Sequence, residues 1–403
     1  MGTTTNYAIP YPEPTDFVTD GATAMENIAE KVDGILSSGA AARNLLYNGA
    51  MNVAQRNTTS GNFSSGAQAY YTADRWGTTI LGTAGTWLQT IVSTTADYPG
   101  GTSGGTYSGF RSSLKMTCVT PPSPLSSNAT VFVNQRLEGR DVQVIGKGTS
   151  SAKQLTVSFW VKAFRGGTYI CSLYDNNNNR SVSGSYVINA SGTWEYKTIT
   201  FPADTTGTLT NDNAFSLQIS WFQALGTNYT SGTLQTTWGT YTAANEGVGQ
   251  TNASQSTSDY WQITGVQLVV GAIAPPFQFK SFGQELVECQ RYYEKSYLYG
   301  TVAGTATFNA LITMAYSSAA GTSGELGGHV MMNTYKRIAP NVTWYDHDGN
   351  INKCTRLQAG VANWPNQSVV NGSIGEHYLG IASTSGAANT CAIQVHFVAA
   401  AEL

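Results

Sequence analysis

The side chains best suited to chemistry in this sequence are a few carboxylates, four histidines and a large set of tryptophans and tyrosines. A glycosidase needs two carboxyl groups about 5–10 Å apart, and the candidate pairs are Glu138 with Asp141, and Asp74 with Glu195. Glu138 and Asp141 stand in QRLEGRD beside Arg136 and Arg140, where ion pairing between strand ends is the commoner use of such a cluster. Asp346-x-Asp348-Gly349-Asn350 copies the start of a calcium loop, but its twelfth position falls on Leu357, where a bidentate carboxylate is required. The segment therefore reads as a hairpin turn. His329, His347, His377 and His396 make no HxH or HExxH arrangement, and no GxSxG, P-loop or dinucleotide fingerprint occurs. No catalytic residue, metal ligand or cofactor is assigned from these patterns.

Aromatic rings offer a different chemistry, because flat rings stack on the apolar faces of sugars while amides and hydroxyls orient them. Trp238, Tyr229 and Tyr241 lie in a Gly/Thr/Asn-rich stretch, 225–258, and Trp364 lies in ANWPNQS. Loop aromatics are better placed for ligands than strand aromatics, although packing between subunits would use the same rings. Trp76, Trp160, Trp194 and Trp261 sit in strand-like wording and are read as core.

Composition narrows the scaffold that must position these rings. In 403 residues only 11% are charged, Gly occurs 43 times, and aromatics make up 11%, a mixture that favours sheet with many turns over disorder. A net charge of −3 without a basic cluster argues against a nucleic-acid partner. No stretch approaches the about 20 apolar residues of a membrane span. MGTTTNYAIPYPEP has neither a basic start nor an apolar centre, so folding in a cytoplasm is expected. Cys118, Cys171, Cys289, Cys354 and Cys391 are odd in number, without a CxxC pair, and read as buried thiols.

Pro10, Pro12 and Pro14 imply an extended arm. Met25, Ile28, Val32 and Ile35 then follow helical spacing, with Thr23 and Glu26 as a capping box and Ser37-Ser38-Gly39 as the stop. β-Branched residues on both seam positions favour a three-stranded bundle, the competing arrangement being a helix packed on its own sheet. Short alternating runs at 87–92, 113–119, 155–161, 169–173, 196–201, 215–219 and 260–270 predict an antiparallel sandwich or jelly roll. Asn176 to Asn179 reads as a hairpin loop, and Gly265 as a bulge before the Pro275-Pro276 stop. From Ser281 the period becomes helical, through Leu286, Cys289, Gln290 and Tyr293, and further strands are expected at 306–314, 328–332, 341–345, 375–381 and 392–398.

GVQLVVGAIAPPFQFKSFGQELVECQRYYEKS (265–296) resembles the junction in tailed-bacteriophage fibre and minor tail proteins, where a carbohydrate-binding-like jelly roll passes into a C-terminal receptor-binding domain. NLLYNGAMNVAQR (44–56), YYTADRW (70–76), VNQRLEG (133–139), QLTVSFWVKA (154–163) and KRIAPNVTWYDHDG (336–349) extend the resemblance in order along the chain. It implies a mainly β homotrimer: an N-terminal virion-attachment arm and trimerisation helix (1–43), a β jelly roll (44–280), a short linking helix (281–299) and a C-terminal β-sandwich-like receptor-binding domain (300–403). The expected trimer interface is Met25, Ile28, Val32, Ile35, Leu286, Cys289 and Tyr293, with residues 1–38 joining tail or head proteins of the virion. The resemblance also implies a non-enzymatic chain whose ligand is host surface polysaccharide, bound without cleavage and without membrane insertion. A head-attached fibre or decoration protein and a glycan-degrading tailspike are the alternatives.

Overall fold

The computed structural model describes residues 2–3, 10–11, 13, 15, 17, 20–41, 43–101, 109–315, 326–358, 361–383 and 390–403. Side chains are left aside at 2–3, 10, 31, 33–41, 315, 326–327, 358, 361–364, 383 and 390–391. The chain is mainly β and forms two units. The first comprises Met1–Met51, Gly61–Ala69 and Gly77–Phe279, the second Asn52–Ser60, Tyr70–Trp76 and Lys280–Leu403.

The first unit opens with the antiparallel pair β1 (Gly2–Thr3) and β2 (Pro10–Tyr11), then helix α1 (Gly21–Ala41). On α1, Ala24 is buried and Ile28 half-buried, whereas Met25 is 68% exposed and Val32 is also exposed. The side chain of Ile35 lies outside the described residues. The helix differs from expectation at both ends. It starts at Gly21, which places Thr23 inside the first turn, and it runs through Ser37-Ser38-Gly39 into Ala40 and Ala41, good helix formers.

Twelve strands follow: β3 (Ala67–Tyr70), β4 (Gly77–Leu81), β5 (Thr86–Val92), β6 (Ser113–Thr120), β7 (Thr130–Glu138), β8 (Leu155–Ala163), β9 (Gly167–Asp175), β10 (Arg180–Ile188), β11 (Glu195–Phe201), β12 (Phe215–Leu225), β13 (Gly239–Thr240) and β14 (Tyr260–Val270). They make a seven-stranded sheet, β13-β10-β9-β12-β7-β4-β3, and a five-stranded sheet, β11-β8-β14-β6-β5. Pairing from β13 to β4, and throughout the five-stranded sheet, is antiparallel. All seven strands expected in this region form, and the hairpin loop at Asn176 to Asn179 closes with Asp175 opposite Arg180 and Asn179 at positive φ.

The sheets face each other through aromatics. Phe159 of β8 meets Tyr186 of β10 edge-on at 5.0 Å and Trp221 of β12 at 5.7 Å, and the indole N–H of Trp261 donates to the Tyr186 hydroxyl at 3.2 Å. Strand β8 is buried on both faces. Its outward residue Trp160 is covered by Phe110 and Ala50, with Tyr98, Trp194 and Phe277 packed around them. Free Cys118 and Cys171 are buried in this unit.

Strand β14 pairs with β8 along its length but with β6 only from Tyr260 to Ile263. Past that point its free edge is completed by residues 44–49. The Asn44 carboxamide accepts from the Leu268 N–H at 2.9 Å and donates to the Val266 carbonyl at 3.1 Å, Leu45 N–H donates to the Leu268 carbonyl at 2.9 Å, and Val266 N–H donates to the Gly49 carbonyl at 2.9 Å. The register shifts between Thr264 and Gln267, with Gly265 at φ +63°. A Cβ on Gly265 would stand 2.7 Å from the Phe110 ring and 3.1 Å from Trp160, so both backbone and packing demand glycine here.

In the second unit Ser281 caps helix α2 (Phe282–Gln290) through a capping box with Gln284. The helical run stops at Gln290, earlier than the spacing predicts. Tyr293 instead starts β15 (Tyr293–Lys295), whose partner is β22 (Thr390–Ala400). Between them lie β16 (Ile312–Ala315), β17 (Leu326–Met331), β18 (Asn341–Tyr345), β19 (Lys353–Gln358), β20 (Val361–Ile374) and β21 (Tyr378–Ser383). The eight strands form one hydrogen-bonded set. Strand β22 pairs with β15, β16, β18 and β19, which makes it the hub. Trp344, Cys354, Leu379, Ile381, Ile393, Val395 and Phe397 fill the core. Strands β19 and β20 had no counterpart among the sequence expectations, because Lys, Arg, Asn, Gln and Pro interrupt their alternation.

This unit also buries charge. Arg75 has no exposed side-chain surface, pairs with Glu402 and lies 3.5 Å from the Tyr292 ring centroid. Arg56 bridges Glu402 at 2.9 Å and Asp74 at 3.3 Å, with its guanidinium 3.8 Å from the Tyr293 ring centroid. Burial pushes the Asp74 carboxyl above its ordinary range, against the pull of Arg56 and Gln55.

Two substitutions test this account. Gly265→Ala should lower stability by about 2–4 kcal/mol, from left-handed strain plus overpacking, read as a shifted urea midpoint. Glu402→Ala removes the carboxylate shared by the Arg75 and Arg56 guanidinium groups and should cost about 3–5 kcal/mol, whereas a loss under about 1 kcal/mol would show the network to be superficial.

Candidate functional site

Asp175 ends β9, Arg180 begins β10, and β13 pairs with β10 at Arg180 and Ser181. Their meeting point is built on ions. Lys147 Nζ lies 2.6 Å from Asp175 and 2.9 Å from Asp204, and donates to the carbonyls of Thr206 at 2.9 Å and Gly207 at 3.0 Å. Arg180 grips Asp204 with two bonds of 2.9 and 3.0 Å and donates to the Trp238 carbonyl at 3.2 Å. Burial by itself would raise the Asp204 carboxyl, but Arg180 and Lys147 reverse that and hold it below its ordinary value.

Trp238 lies on this network. Its indole N–H donates to the Pro202 carbonyl at 2.9 Å and its ring centroid is 5.0 Å from Lys147 Nζ, while part of its surface remains open. Tyr241 is adjacent: its N–H donates to the Asn179 carbonyl at 2.9 Å, its ring meets Tyr174 edge-on at 5.5 Å, and its hydroxyl donates to Glu246 at 2.8 Å. Burial pushes the Glu246 carboxyl up to about 7, opposed by that Tyr241 bond. Exposed Thr237 and Thr240 adjoin Trp238 and Tyr241 in the chain, and Thr240 pairs with Arg180 across the sheet.

Tyr229 is packed against Ile170, Phe222 and Leu225 with Leu234, near enough to Tyr241 for the two hydroxyls to interact electrostatically. It belongs to the covering that stretch 225–258 lays over β9, β10 and β12. Ser183 N–H donates to the Gln235 carbonyl at 2.7 Å, Ser183 Oγ to the Glu246 carbonyl at 2.8 Å, and Ile170 N–H to Gln250 at 2.8 Å. The stretch, whose composition without sustained alternation predicts a long surface excursion, is thus tied onto the sheet. Trp364 falls on β20 of the second unit, and its side chain lies outside the described residues. Of the four rings expected to meet glycan, Trp238 and Tyr241 flank β13 on separate supports, Lys147 under the one and Tyr174 beside the other, and Tyr229 interacts with Tyr241.

Lys147, Asp175, Arg180 and Asp204 were not legible as a site. They are far apart in sequence, and the one local signal is the NNNNR turn that brings Arg180 back beside Asp175. Trp76, Trp160 and Trp261 are buried as read, but Trp194 is half-exposed, with Lys162 Nζ 5.3 Å from its ring centroid.

The candidate carboxylates are occupied by their own surroundings. Asp141 accepts from Tyr47 at 2.7 Å and Arg43 at 3.1 Å, Glu138 is buried with Arg140 4.0 Å away, and Glu195 is held by Lys197 at 2.6 Å and by Asn189 and Ala190 N–H groups. Asp74 belongs to the second unit and Glu195 to the first. Asp346 accepts from the N–H groups of Asp348, Asn350 and Asn366 at 3.0, 2.8 and 2.6 Å, within the turn that joins β18 to β19.

The expected trimer interface divides. Cys289 and Tyr293 are buried inside the second unit, Tyr293 because it is a strand residue rather than a helix-seam residue. Leu286 is half-buried, and the outward apolar residues of α2 are Phe282 and Val287.

No family model matches this chain, and no curated protein matches it. Among solved structures it is similar to the enzymatically active domain of bacteriophage CBA120 tailspike protein 4, at 15% identity and TM-score 0.29, over 56% of this chain and 21% of that one. The match thus spans about a fifth of the tailspike chain. It is similar also to TmCBM61 in complex with beta-1,4-galactotriose, at 10% identity and TM-score 0.27, over 56% and 97% of the two chains. A third is the Family 11 carbohydrate-binding module from Clostridium thermocellum in complex with a beta-1,3-1,4-mixed-linked tetrasaccharide, at 14% identity and TM-score 0.26, over 49% and 90%. Scores this low assign neither fold family nor ligand.

Because the folded carboxyl of Glu246 titrates near 7 rather than its ordinary 4.5, its stabilising contribution is complete below about 4.5 and is lost as pH rises through about 7. Part of the side chain reaches solvent, so the effect should stay within about 1–2 kcal/mol. Glu246→Gln should flatten the stability profile across that window in thermal melts at stepped pH; an unchanged slope would place the buried proton elsewhere.

Proposed function

We propose that this chain is a non-enzymatic adhesin of a bacteriophage virion, assembled in the host cytoplasm as a homotrimer, that holds host surface polysaccharide at the Trp238–Tyr241 edge of its jelly roll. One observation carries the glycan reading: the Trp238 indole is anchored at its N–H and over Lys147, yet keeps open surface beside exposed Thr237 and Thr240. A ring fixed before binding loses little freedom when a sugar stacks on it. The ion network beneath keeps the ring in place without presenting a net charge to a neutral sugar.

The virion reading rests on the ordered fibre-like wording at 44–56, 70–76 and 265–296. The trimer reading draws on α1, whose Met25 and Val32 are exposed on the apolar stripe of one chain and would be covered by two further copies. Three weak sugar contacts on one particle raise avidity through effective concentration. Residues 1–38 serve as the mooring to the tail or head.

Trp238→Ala in the full chain should weaken polysaccharide binding about tenfold per site, from loss of one stacking platform, as read by surface plasmon resonance on immobilised host polysaccharide. Undiminished binding would remove the assignment of this edge. Sedimentation equilibrium should give three times the chain mass, and a stable monomer at micromolar concentration would rule out the homotrimer.

A further inference from the structure

The second unit holds a concavity of about 400 Å³, lined by Gln55, Gln290, Lys295, Tyr297, Met331 and Asn333 among others. That is room for one or two sugar rings, within the usual range of ligand pockets. Lys295 is its unusual member. The residue is 7% exposed, and Nζ donates to the carbonyls of Tyr299 at 2.9 Å and Thr301 at 2.6 Å, which leaves one of the three ammonium donors over.

A buried ammonium normally finds a carboxylate, and no ion pair of Lys295 occurs among the described residues. The neighbouring anions are engaged elsewhere. Glu294, the other charged residue of the lining, accepts from Lys336 and from the Asn333 N–H, while Asp74 is held by Arg56 and Gln55. His396, stacked 3.8 Å from Tyr297, is kept below its ordinary value by burial and brings no charge. Burial also pulls the Lys295 amine down to about 8, against the pull of the Asp74 charge, so the cation persists at neutral pH with no carboxylate bonded to it among the described residues.

We propose that this pocket is a second ligand site, independent of the Trp238 edge, which takes a sugar acid whose carboxylate pairs with Lys295 while its hydroxyls meet the Gln55, Gln290 and Asn333 amides. The acid is either a free monosaccharide or the terminal residue of an acidic polysaccharide. The pocket mouth is open on one side through Met331, which is 64% exposed.

Isothermal titration calorimetry of the full chain with sodium glucuronate, glucose and sodium acetate tests this directly. Glucuronate should bind saturably and at least about tenfold more tightly than either comparison ligand, since the charge contact and the hydroxyl contacts each contribute. Lys295→Met should abolish that preference. Met331→Trp, at an exposed position that leaves the ammonium in place, should block binding by filling the mouth, which covers the case in which the lysine variant fails to fold. A glucuronate-terminated oligosaccharide that binds more tightly than the monosaccharide would identify the polymer end as the ligand, and equal affinity the free acid. No saturable glucuronate binding, equal binding of acetate, or binding unaffected by Met331→Trp would each overturn the proposal. Trp238→Ala should leave glucuronate binding intact, so failure here is distinguishable from failure of the jelly-roll edge.

Discussion

The first unit depends on satisfying the backbone of β14. That strand carries the Trp261–Tyr186 link between the sheets, yet β6 leaves its edge after Ile263. Buried N–H and C=O groups left without partners would each cost several kcal/mol. Asn44, Leu45 and Gly49 remove that cost by acting as a short substitute strand, and the Gly265 bulge turns the right groups toward them. The same bulge gives room for Phe110 and Trp160, so the outer aromatic layer and the edge hydrogen bonds arise from one local irregularity.

The second unit meets a different constraint. A chain with few charges places an unusual share of them inside, where Arg56, Arg75, Asp74 and Glu402 neutralise one another under tyrosine rings. Such networks stabilise only when complete. Residues 52–60 and 70–76 join this unit because they supply the guanidinium groups and Asp74, although they lie far from residues 280–403 in sequence. In a unit that pairs its interior ions so fully, Lys295 is the exception, bonded to two carbonyls and feeling the Asp74 charge without a direct ion pair.

Aromatic side chains have at least three fates in this protein. Phe159, Trp221 and Trp261 join the two sheets of the jelly roll, Phe110 and Phe277 shield the outside of the five-stranded sheet, and Trp238 and Tyr241 stand at the rim on fixed supports. The difference between shield and rim lies in what surrounds each ring rather than in the ring itself, which is why Trp194 was read as core and lies half-exposed.

Local pattern was enough for much of the scaffold. Alternation in LTVSFWVKA marks a strand because the period of two is a property of extended backbone, and Asn176 to Asn179 marks a turn because asparagine tolerates left-handed φ. Gly265 announced its bulge for the same reason, and Ser281 the start of α2. Where local cues compete, the sequence misleads: Tyr293 continues a helical spacing but pairs with β22, since a strand hydrogen-bonded to the hub buries its ring beneath Arg56, while one more helical turn would not. Strands β19 and β20 are held by pairing with neighbours, not by their own alternation. The polar support of Trp238 and the carbonyl-only bonding of Lys295 were beyond reach for a related reason. Propensity and periodicity act over a few residues, but a buried charge is paired or unpaired only through partners that the tertiary fold brings from distant parts of the chain.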